Sequence, residues 1–110
     1  MNEISPYTTQ ETRRVAKEVD ISDLLRKMIT GTQIRIARAA LGWTVAELAR
    51  RSGVSASSIQ RAETGGGVPT MQSANLFRVQ RALELGDERG AVTFIDADES
   101  GGEGVRLRRR

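Results

Sequence analysis

The chain contains neither cysteine nor histidine among its 110 residues. It therefore cannot form a disulfide, build a Cys/His zinc site, or use a thiol or an imidazole in catalysis. The acidic residues are scattered over predicted surfaces, and no nucleophile–base pair can be assembled without those two residue types. These absences predict a protein that is not an enzyme and that holds no metal or other cofactor.

Aromatic residues and long apolar runs are also scarce. Aromatics make up 4% and hydrophobic residues 38% of the sequence, so we expect a small core that a second copy would help to stabilise. No apolar run approaches the length of a membrane span or of a signal-peptide core. We therefore expect a soluble cytoplasmic protein, with no membrane partner, built as one domain with extensions.

The net charge of +3 is concentrated in one part of the chain. Residues 1–30 and 91–110 are each balanced, whereas residues 31–90 carry eight arginines against five acids and no lysine. A positive excess there suits contact with DNA phosphates, and arginine offers bidentate geometry to phosphate and guanine. A GC-rich coding sequence explains the preference for arginine over lysine equally well.

The segment of residues 43–65 is typical of two short helices joined by a tight turn. Thr44 is predicted to cap the first helix, with Glu47 completing a capping box. Gly53 is predicted to end that helix in the left-handed conformation. Ser55 is then predicted to cap the second helix.

The second helix of this segment has small polar residues at its front end. Ile59 and Ala62 are spaced to anchor its other face. A helix that is anchored along one face and carries small residues at its N-terminal end suits insertion into the DNA major groove.

The same run resembles the lambda-repressor-like helix-turn-helix family, of the phage repressor and Cro type and the xenobiotic-response-element type of transcriptional regulator. The family pattern, roughly L-T-x-x-E-L-A-x-x-S/A-G-V-S-x-x-x-I-x-R-x-E-x-G, is followed without a gap from Trp43 to Gly65. The resemblance implies a mainly α fold with a five-helix DNA-binding domain over residues 28–90. Residues 1–27 are then an N-terminal extension, predicted to be partly helical, and residues 91–110 a C-terminal β-hairpin and basic tail.

Periodicity and caps place the elements of the domain. We predict helices from Thr30 or Gly31 to Leu41, over Val45–Ser52 and Ala56–Glu63, and, capped by Thr70, from Met71 to Leu85. Gly65, Gly66 and Gly67 lie in a loop that lacks the preceding strand and the following Gly-Lys-Ser/Thr of a phosphate-binding loop, so we interpret it as a linker. The tail alternates over residues 91–95 and 105–108, and this hairpin is expected to pack on the domain or on a second subunit.

The resemblance also assigns the DNA-contacting residues. The residues predicted to read bases are Ala56, Ser57, Gln60 and Arg61. Arg61 is the strongest candidate, because arginine can bind O6 and N7 of guanine together. The residues predicted to contact phosphates are Thr44, Arg50, Ser55, Ser58 and Thr64. Val45 departs from the family, which often carries a phosphate-binding Gln there. The loop after the predicted base-reading helix, called the recognition helix in this family, is neutral where the family is often basic.

Three features allow two interpretations each. Arg38 and Glu63 match an ion pair that, in the family, supports the recognition helix, and we interpret them as structural rather than as DNA contacts. Trp43 stands where Leu is usual, and we interpret it as a core residue rather than a platform for stacking a base. The terminal arginines either form a basic arm that reaches the DNA backbone or are a solvated strand end, with Arg109 and Arg110 extending into solvent. Nearby acids cancel the local charge and favour the second.

Three functions are compatible with these observations. The leading hypothesis is a sequence-specific transcriptional regulator that binds a two-fold site on double-stranded DNA as a homodimer. The second is the antitoxin of a toxin–antitoxin pair that also regulates its own operon and contacts a protein partner through the N-terminal extension or the C-terminal hairpin. The third is a protein-interaction module that has lost DNA binding, which Val45 and the neutral loop would suit.

Overall fold

The computed structural model describes residues 28–110, which form four helices followed by a two-stranded antiparallel sheet. The elements are α1 (Gly31–Leu41), α2 (Val45–Ser52), α3 (Ala56–Gly65), α4 (Ser73–Leu85), β1 (Gly90–Ile95) and β2 (Gly104–Arg109). The mainly helical domain and the terminal hairpin are as predicted, but the described residues contain four helices rather than five. Gly86 ends α4, and a turn closed by pairing of Asp87 with Gly90 leads directly into β1. The predicted N-terminal helical extension lies outside the described residues.

Thr44 caps α2 as predicted, but the capping box lies at a different helix. Thr44 caps α2 by accepting a hydrogen bond from the N–H of Glu47 at 3.0 Å. The Glu47 carboxylate does not complete a capping box, because it accepts from Arg50 and Arg51, which lie three and four residues further along the same helix face. The capping box is instead at the start of α1, between Thr30 and Gln33.

The ends of α3 and α4 also lie elsewhere. Helix α3 continues to Gly65, two residues beyond the predicted Glu63. Helix α4 begins at Ser73 rather than at Met71, and Thr70 does not cap it. Met71 is half-buried and packs against the core from the loop, so the chain is still crossing from α3 to α4 at that position.

The core is built from the inner faces that periodicity predicted. Each helix contributes side chains that are fully buried: Ile34 from α1, Leu48 from α2, Ile59 from α3, Val79 and Leu83 from α4. Trp43 is 4% exposed and belongs to the same cluster, which confirms it as a core residue. The four helices therefore form one core, and the second and third present their remaining faces to solvent.

The hairpin packs on α1 and α4, which is the first of the two arrangements expected for it. Val92, Phe94, Val105 and Leu107 lie on the face that contacts the core. Arg106 and Arg108 point to the opposite, exposed face.

Among the described residues, no helix combines the length and the apolar character needed to cross a bilayer.

Gln33 ties the hairpin to the helices. Its side chain is buried, and its Oε1 accepts from the N–H of Thr30 at 2.9 Å. Its Nε2 donates to the carbonyl oxygens of Ile95 at 3.1 Å and of Gly104 at 2.9 Å. One amide thus caps α1 and satisfies the two strand ends where the hairpin opens into its connecting loop.

Candidate nucleic-acid interface

Helix α3 is anchored along one face and open along the other. Ile59, Ala62 and Glu63 are buried against the rest of the domain. The four residues predicted to read bases are all solvent-exposed: Ala56, Ser57, Gln60 and Arg61. The exposed face of α3 therefore carries small side chains at the N-terminal end of the helix and two long polar side chains one turn further along.

Serine hydroxyls cluster at the start of α3. Ser55 caps the helix by accepting from the N–H of Ser58 at 3.2 Å, and its hydroxyl donates to Ser58 Oγ at 2.9 Å. Nη2 of Arg61 donates to the same Ser58 oxygen at 3.3 Å. Arg61 therefore lies along the exposed face toward the helix N-terminus, and no carboxylate within residues 28–110 is close enough to form an ion pair with it.

The other residues predicted to contact phosphates differ in what they can donate. Thr44 uses its oxygen to cap α2, which leaves its hydroxyl proton available. Thr64 already donates its hydroxyl proton to the carbonyl of Gln60 at 2.8 Å. Arg50 is paired with Glu47, whose pKa is lowered by the hydrogen bonds from Arg50 and then Arg51. That pair is exposed and therefore weak enough for a phosphate to replace the carboxylate.

Val45 is half-buried and packs against the core. The side chain of this first residue of α2 therefore contributes to packing and offers no polar group to a phosphate.

The glycine loop after α3 docks against the start of α1. The N–H of Gly31 donates to the carbonyl of Gly67 at 2.8 Å, and the N–H of Thr32 donates to that of Gly66 at 3.2 Å. The Thr32 hydroxyl donates to the same Gly66 oxygen at 3.0 Å. The loop carbonyls thus satisfy the free N–H groups at the N-terminus of α1, as befits a structural linker.

A cleft of about 590 Å³ runs beside the exposed face of α3. It is bounded by the second half of α3, the following loop and the start of α4. Its polar lining comprises Ser58, Arg61, Thr70, Gln72 and Asn75. Sequence patterns did not select Gln72 or Asn75, because the cleft depends on the path of the loop, and the only local signal is their position in the segment that follows α3.

Arg38 and Glu63 form a two-point ion pair beneath α3. Nε of Arg38 donates to Oε2 of Glu63 and Nη2 donates to Oε1, each at 2.9 Å. Nη1 of Arg38 donates to the carbonyl of Trp43, also at 2.9 Å. Glu63 is 7% exposed, and its hydrogen bonds raise the pKa of Arg38. The pair connects α1, the turn before α2 and the last turns of α3.

Trp43 and Asp87 form a second polar connection that the sequence did not indicate. The indole N–H donates to Oδ2 of Asp87 at 3.0 Å, and the N–H of Arg89 donates to Oδ1 at 2.9 Å. The guanidinium of Arg51 lies over the Trp43 ring, 4.5 Å from its centroid. The hydrogen bond from Trp43, followed by those from Arg89, holds the pKa of Asp87 far below its usual range.

Acid is therefore expected to destabilise the fold. Because the pKa of Asp87 is lower in the folded than in the unfolded chain, its stabilising contribution is complete above the ordinary value of 3.8 and is lost as the pH falls toward the folded-state value. Glu47 and Asp98, whose pKa values are also lowered, act in the same direction. Urea unfolding followed by Trp43 fluorescence between pH 6 and pH 2 measures this loss. Asp87→Asn should show a flatter pH dependence, and an unchanged slope would contradict the role given to Asp87.

The terminal arginines lie on or near the hairpin. Arg106, Arg108, Arg109 and Arg110 are exposed. Arg110 does not simply extend into solvent, because its Nη2 donates to the carbonyl of Leu85 at 2.9 Å. This contact holds the end of the chain against the last turn of α4.

Comparison with known proteins gives one match. A family model described as a helix-turn-helix domain matches residues 30–89, which is more than half of the chain and runs from the cap of α1 to the turn before β1. No curated protein and no solved structure matches the chain.

Proposed function

The chain belongs to the helix-turn-helix domain family, and from this we propose that it is a sequence-specific DNA-binding transcriptional regulator of the lambda-repressor-like type. The observation that carries the proposal is the exposed face of α3. The helix is fixed from behind by Ile59 and Glu63, while its front presents serine, glutamine and arginine side chains to solvent. Such a helix can enter the major groove with its N-terminal end against the bases.

In this proposal, Gln60 and Arg61 read the sequence. Arg61 would exchange its single hydrogen bond to Ser58 for two to O6 and N7 of a guanine, and Gln60 would pair with N6 and N7 of an adenine. Ala56 can touch a thymine methyl, and Ser57 adds a contact with little discrimination. The half-site recognised by one copy is therefore short.

Phosphate contacts flank this face. Thr44 and Ser55 lie at the N-termini of α2 and α3, where backbone N–H groups and the helix dipole favour an anion. Arg50 and Ser58 extend the same row. On the other side, Gln72 and Asn75 line the same cleft as Arg61, and we assign them to contacts with the DNA backbone beside the bases read by α3.

A homodimer on a two-fold site follows from the small size of one reading surface. A single module contacts too few base pairs to be selective in a genome. Two copies double the readout, with half-sites about one helical turn apart.

Replacing Arg61 with alanine should weaken specific binding by about 1–3 kcal/mol and leave the melting temperature unchanged, because the side chain is exposed and outside the core. The site is first obtained by selecting bound sequences from random DNA, which also returns the half-site spacing. Binding of both proteins to that site is then compared by fluorescence anisotropy. Arg106→Ala is the matched control, since it removes an exposed arginine from the hairpin. Failure to enrich any sequence at low salt would overturn the regulator proposal.

One observation favours a second function, a protein-interaction module without DNA binding. Val45 packs into the core at a position where a polar phosphate ligand is common in the family. In that case random-sequence selection would return no motif, while the exposed face of α3 would remain available to a protein. The same selection experiment therefore separates the two functions.

A further inference from the structure

One edge of the terminal hairpin is open. In an antiparallel pair of strands, residue pairs that exchange hydrogen bonds alternate with pairs that do not. The N–H of Arg110 donates to the carbonyl of Arg89 at 3.3 Å, which sets the phase of this alternation. In the register of the hairpin, the N–H and C=O groups of Val105, Leu107 and Arg109 then point away from β1. The outer edge of β2 therefore offers backbone donors and acceptors to a further strand.

Arg106 and Arg108 form a basic row on the exposed face of β2. They lie opposite Thr93 and Ala91 of β1, neither of which carries a charge. Within residues 28–110, neither arginine takes part in an ion pair. Because β2 contains no acidic residue, a second copy of the strand would set arginines beside arginines, which is unfavourable. The charge of this face fits a strand that carries carboxylates at alternate positions.

Helix α1 runs beside β2 from one end of the strand to the other. Near the start of β2, Nε2 of Gln33 donates to the carbonyl of Gly104 at 2.9 Å. Near its end, the carbonyl of Leu41 accepts from Nη2 of Arg89 at 3.2 Å, and Arg89 is paired with Arg110. Strand β1 packs on both α1 and α4, whereas β2 packs on α1, so β2 is the outer strand over α1.

The side of α1 that faces the hairpin continues into an exposed apolar stripe. Ile36 and Ala40 follow Gln33 by three and seven residues, so the three side chains lie within about 60° of one another around the helix. Ile36 is 42% exposed, and Ala40 is also open to solvent. The open edge of β2 therefore has exposed apolar surface on its α1 side and arginines on its other side.

We propose that β2 binds an extended segment of a partner protein as a third strand of the sheet, and that acidic and apolar side chains alternate along this segment. The backbone of the segment bonds to the outward N–H and C=O groups of Val105 and Leu107. Its acidic side chains lie beside Arg106 and Arg108, and its apolar side chains turn to the opposite face and cover Ile36. In such strand addition, backbone bonds supply affinity and alternate side chains supply specificity.

The edge of β2 and the exposed face of α3 lie on different sides of α1. Gln33, which bonds to the hairpin, and Arg38, which bonds to Glu63 of α3, are about 140° apart around the helix. A partner strand on β2 therefore leaves Gln60 and Arg61 exposed. The proposed contact goes beyond DNA binding and does not depend on it.

A synthetic peptide of alternating glutamate and valine tests the proposal on the full chain. Fluorescence anisotropy of the labelled peptide should show saturable binding, and a peptide that groups the same glutamates before the valines should bind more weakly. Replacing both Arg106 and Arg108 with glutamate should raise the dissociation constant about tenfold or more, because attractive pairs become repulsive. The matched control is Arg78→Glu with Arg81→Glu, which makes the same change in net charge on the exposed side of α4 and should leave binding unchanged.

Exchange of backbone amide protons, followed by NMR, checks the geometry. Bound peptide should slow exchange at Val105 and Leu107, whose N–H groups point to the open edge. It should change exchange little at Arg106 and Arg108, whose N–H groups already bond to β1. Ile36→Asp should weaken binding of the peptide, because it places a carboxylate against the apolar side chains. Circular dichroism of each variant checks that the fold is intact.

Four results would overturn the inference. The first two are a peptide that does not saturate the full chain below about 1 mM, as it would not if residues 1–27 covered the edge, and equal binding of the grouped peptide. The third is a dimer in sedimentation velocity that Arg106→Glu with Arg108→Glu dissociates, which would assign the edge to a second copy. The fourth is a double variant that loses a selected DNA site and keeps the peptide, which would make both arginines phosphate contacts. Peptide binding by a chain that selects no DNA would support this surface and overturn the regulator.

Discussion

Replacing Glu63 with alanine is expected to lower the free energy of unfolding by about 3–5 kcal/mol. The carboxylate is 7% exposed and accepts two hydrogen bonds from Arg38. Without it, a half-buried guanidinium is left under α3 with only the Trp43 carbonyl as an acceptor. Urea unfolding followed by Trp43 fluorescence measures the loss. The same variant should keep its sequence preference, because Glu63 is on the buried side of the helix.

Two further variants define the cause of that loss. Arg61→Ala, on the exposed side of the same helix, should melt like the unmodified protein. Replacing both charged partners together, as in Arg38→Met with Glu63→Leu, should recover much of the stability, since no unpaired charge remains. A stable Glu63→Ala protein that binds a different DNA sequence would contradict the supporting role and place Glu63 among the reading residues.

The helices and their inner faces could be predicted from the sequence because their determinants are local. Leu76, Val79 and Leu83, for example, recur at helical spacing along α4, and a helix with one apolar stripe has only one face to bury. Gly53 ends α2 with a positive φ of 76°, a conformation that favours glycine and is readable from the sequence alone. The helices that carry the proposed base-reading face could therefore be predicted from the sequence.

Two of the failures of prediction involve competition between partners. Glu47 satisfies the capping-box pattern, but two arginines on the same helix face outcompete the backbone N–H for its carboxylate. Thr70 is a good cap by type, yet Met71 packs against the core from the loop and delays the start of α4. The family pattern implied a fifth helix, whereas the chain turns at Gly86 into a hairpin. Local sequence rules assess each possible cap or partner separately, and they do not show which partner a side chain takes in the folded chain.

The candidate site likewise has one part that could be predicted from the sequence and one part that could not. The exposure of Gln60 and Arg61 follows from the register of α3, which the buried Ile59 fixes. The cleft that adds Gln72 and Asn75 follows from the path of the loop between two helices, which no periodicity describes. The buried Gln33 was not selected either, although its Thr30-x-x-Gln33 spacing is that of a capping box. Its bonds to the hairpin join residues more than 60 positions apart.

Replacing Gly31 with alanine is expected to cost about 3 kcal/mol or more of folding free energy. A Cβ atom at this position would lie 1.8 Å from the carbonyl oxygen of Ala62 and 2.7 Å from its carbonyl carbon. Both are backbone atoms of α3, so no side-chain rotation relieves the overlap and the two helices must separate. Separation would also lengthen the hydrogen bonds from Gly31 and Thr32 to the glycine loop, each of which leaves a buried donor unpaired if it breaks.

Gly65→Ala is the matched control for this prediction. Gly65 lies in the last turn of α3, and a Cβ atom there meets nothing within 4 Å. That variant should unfold within about 1 kcal/mol of the unmodified protein, because it changes only the entropy of the unfolded chain. Thermal and urea unfolding of the two variants separate close packing from backbone freedom as the reason for glycine. If Gly31→Ala were as stable as Gly65→Ala, the close approach of α1 to α3 would not be what fixes the recognition helix. In that case the support of α3 would depend on the Arg38–Glu63 pair and the apolar anchors alone.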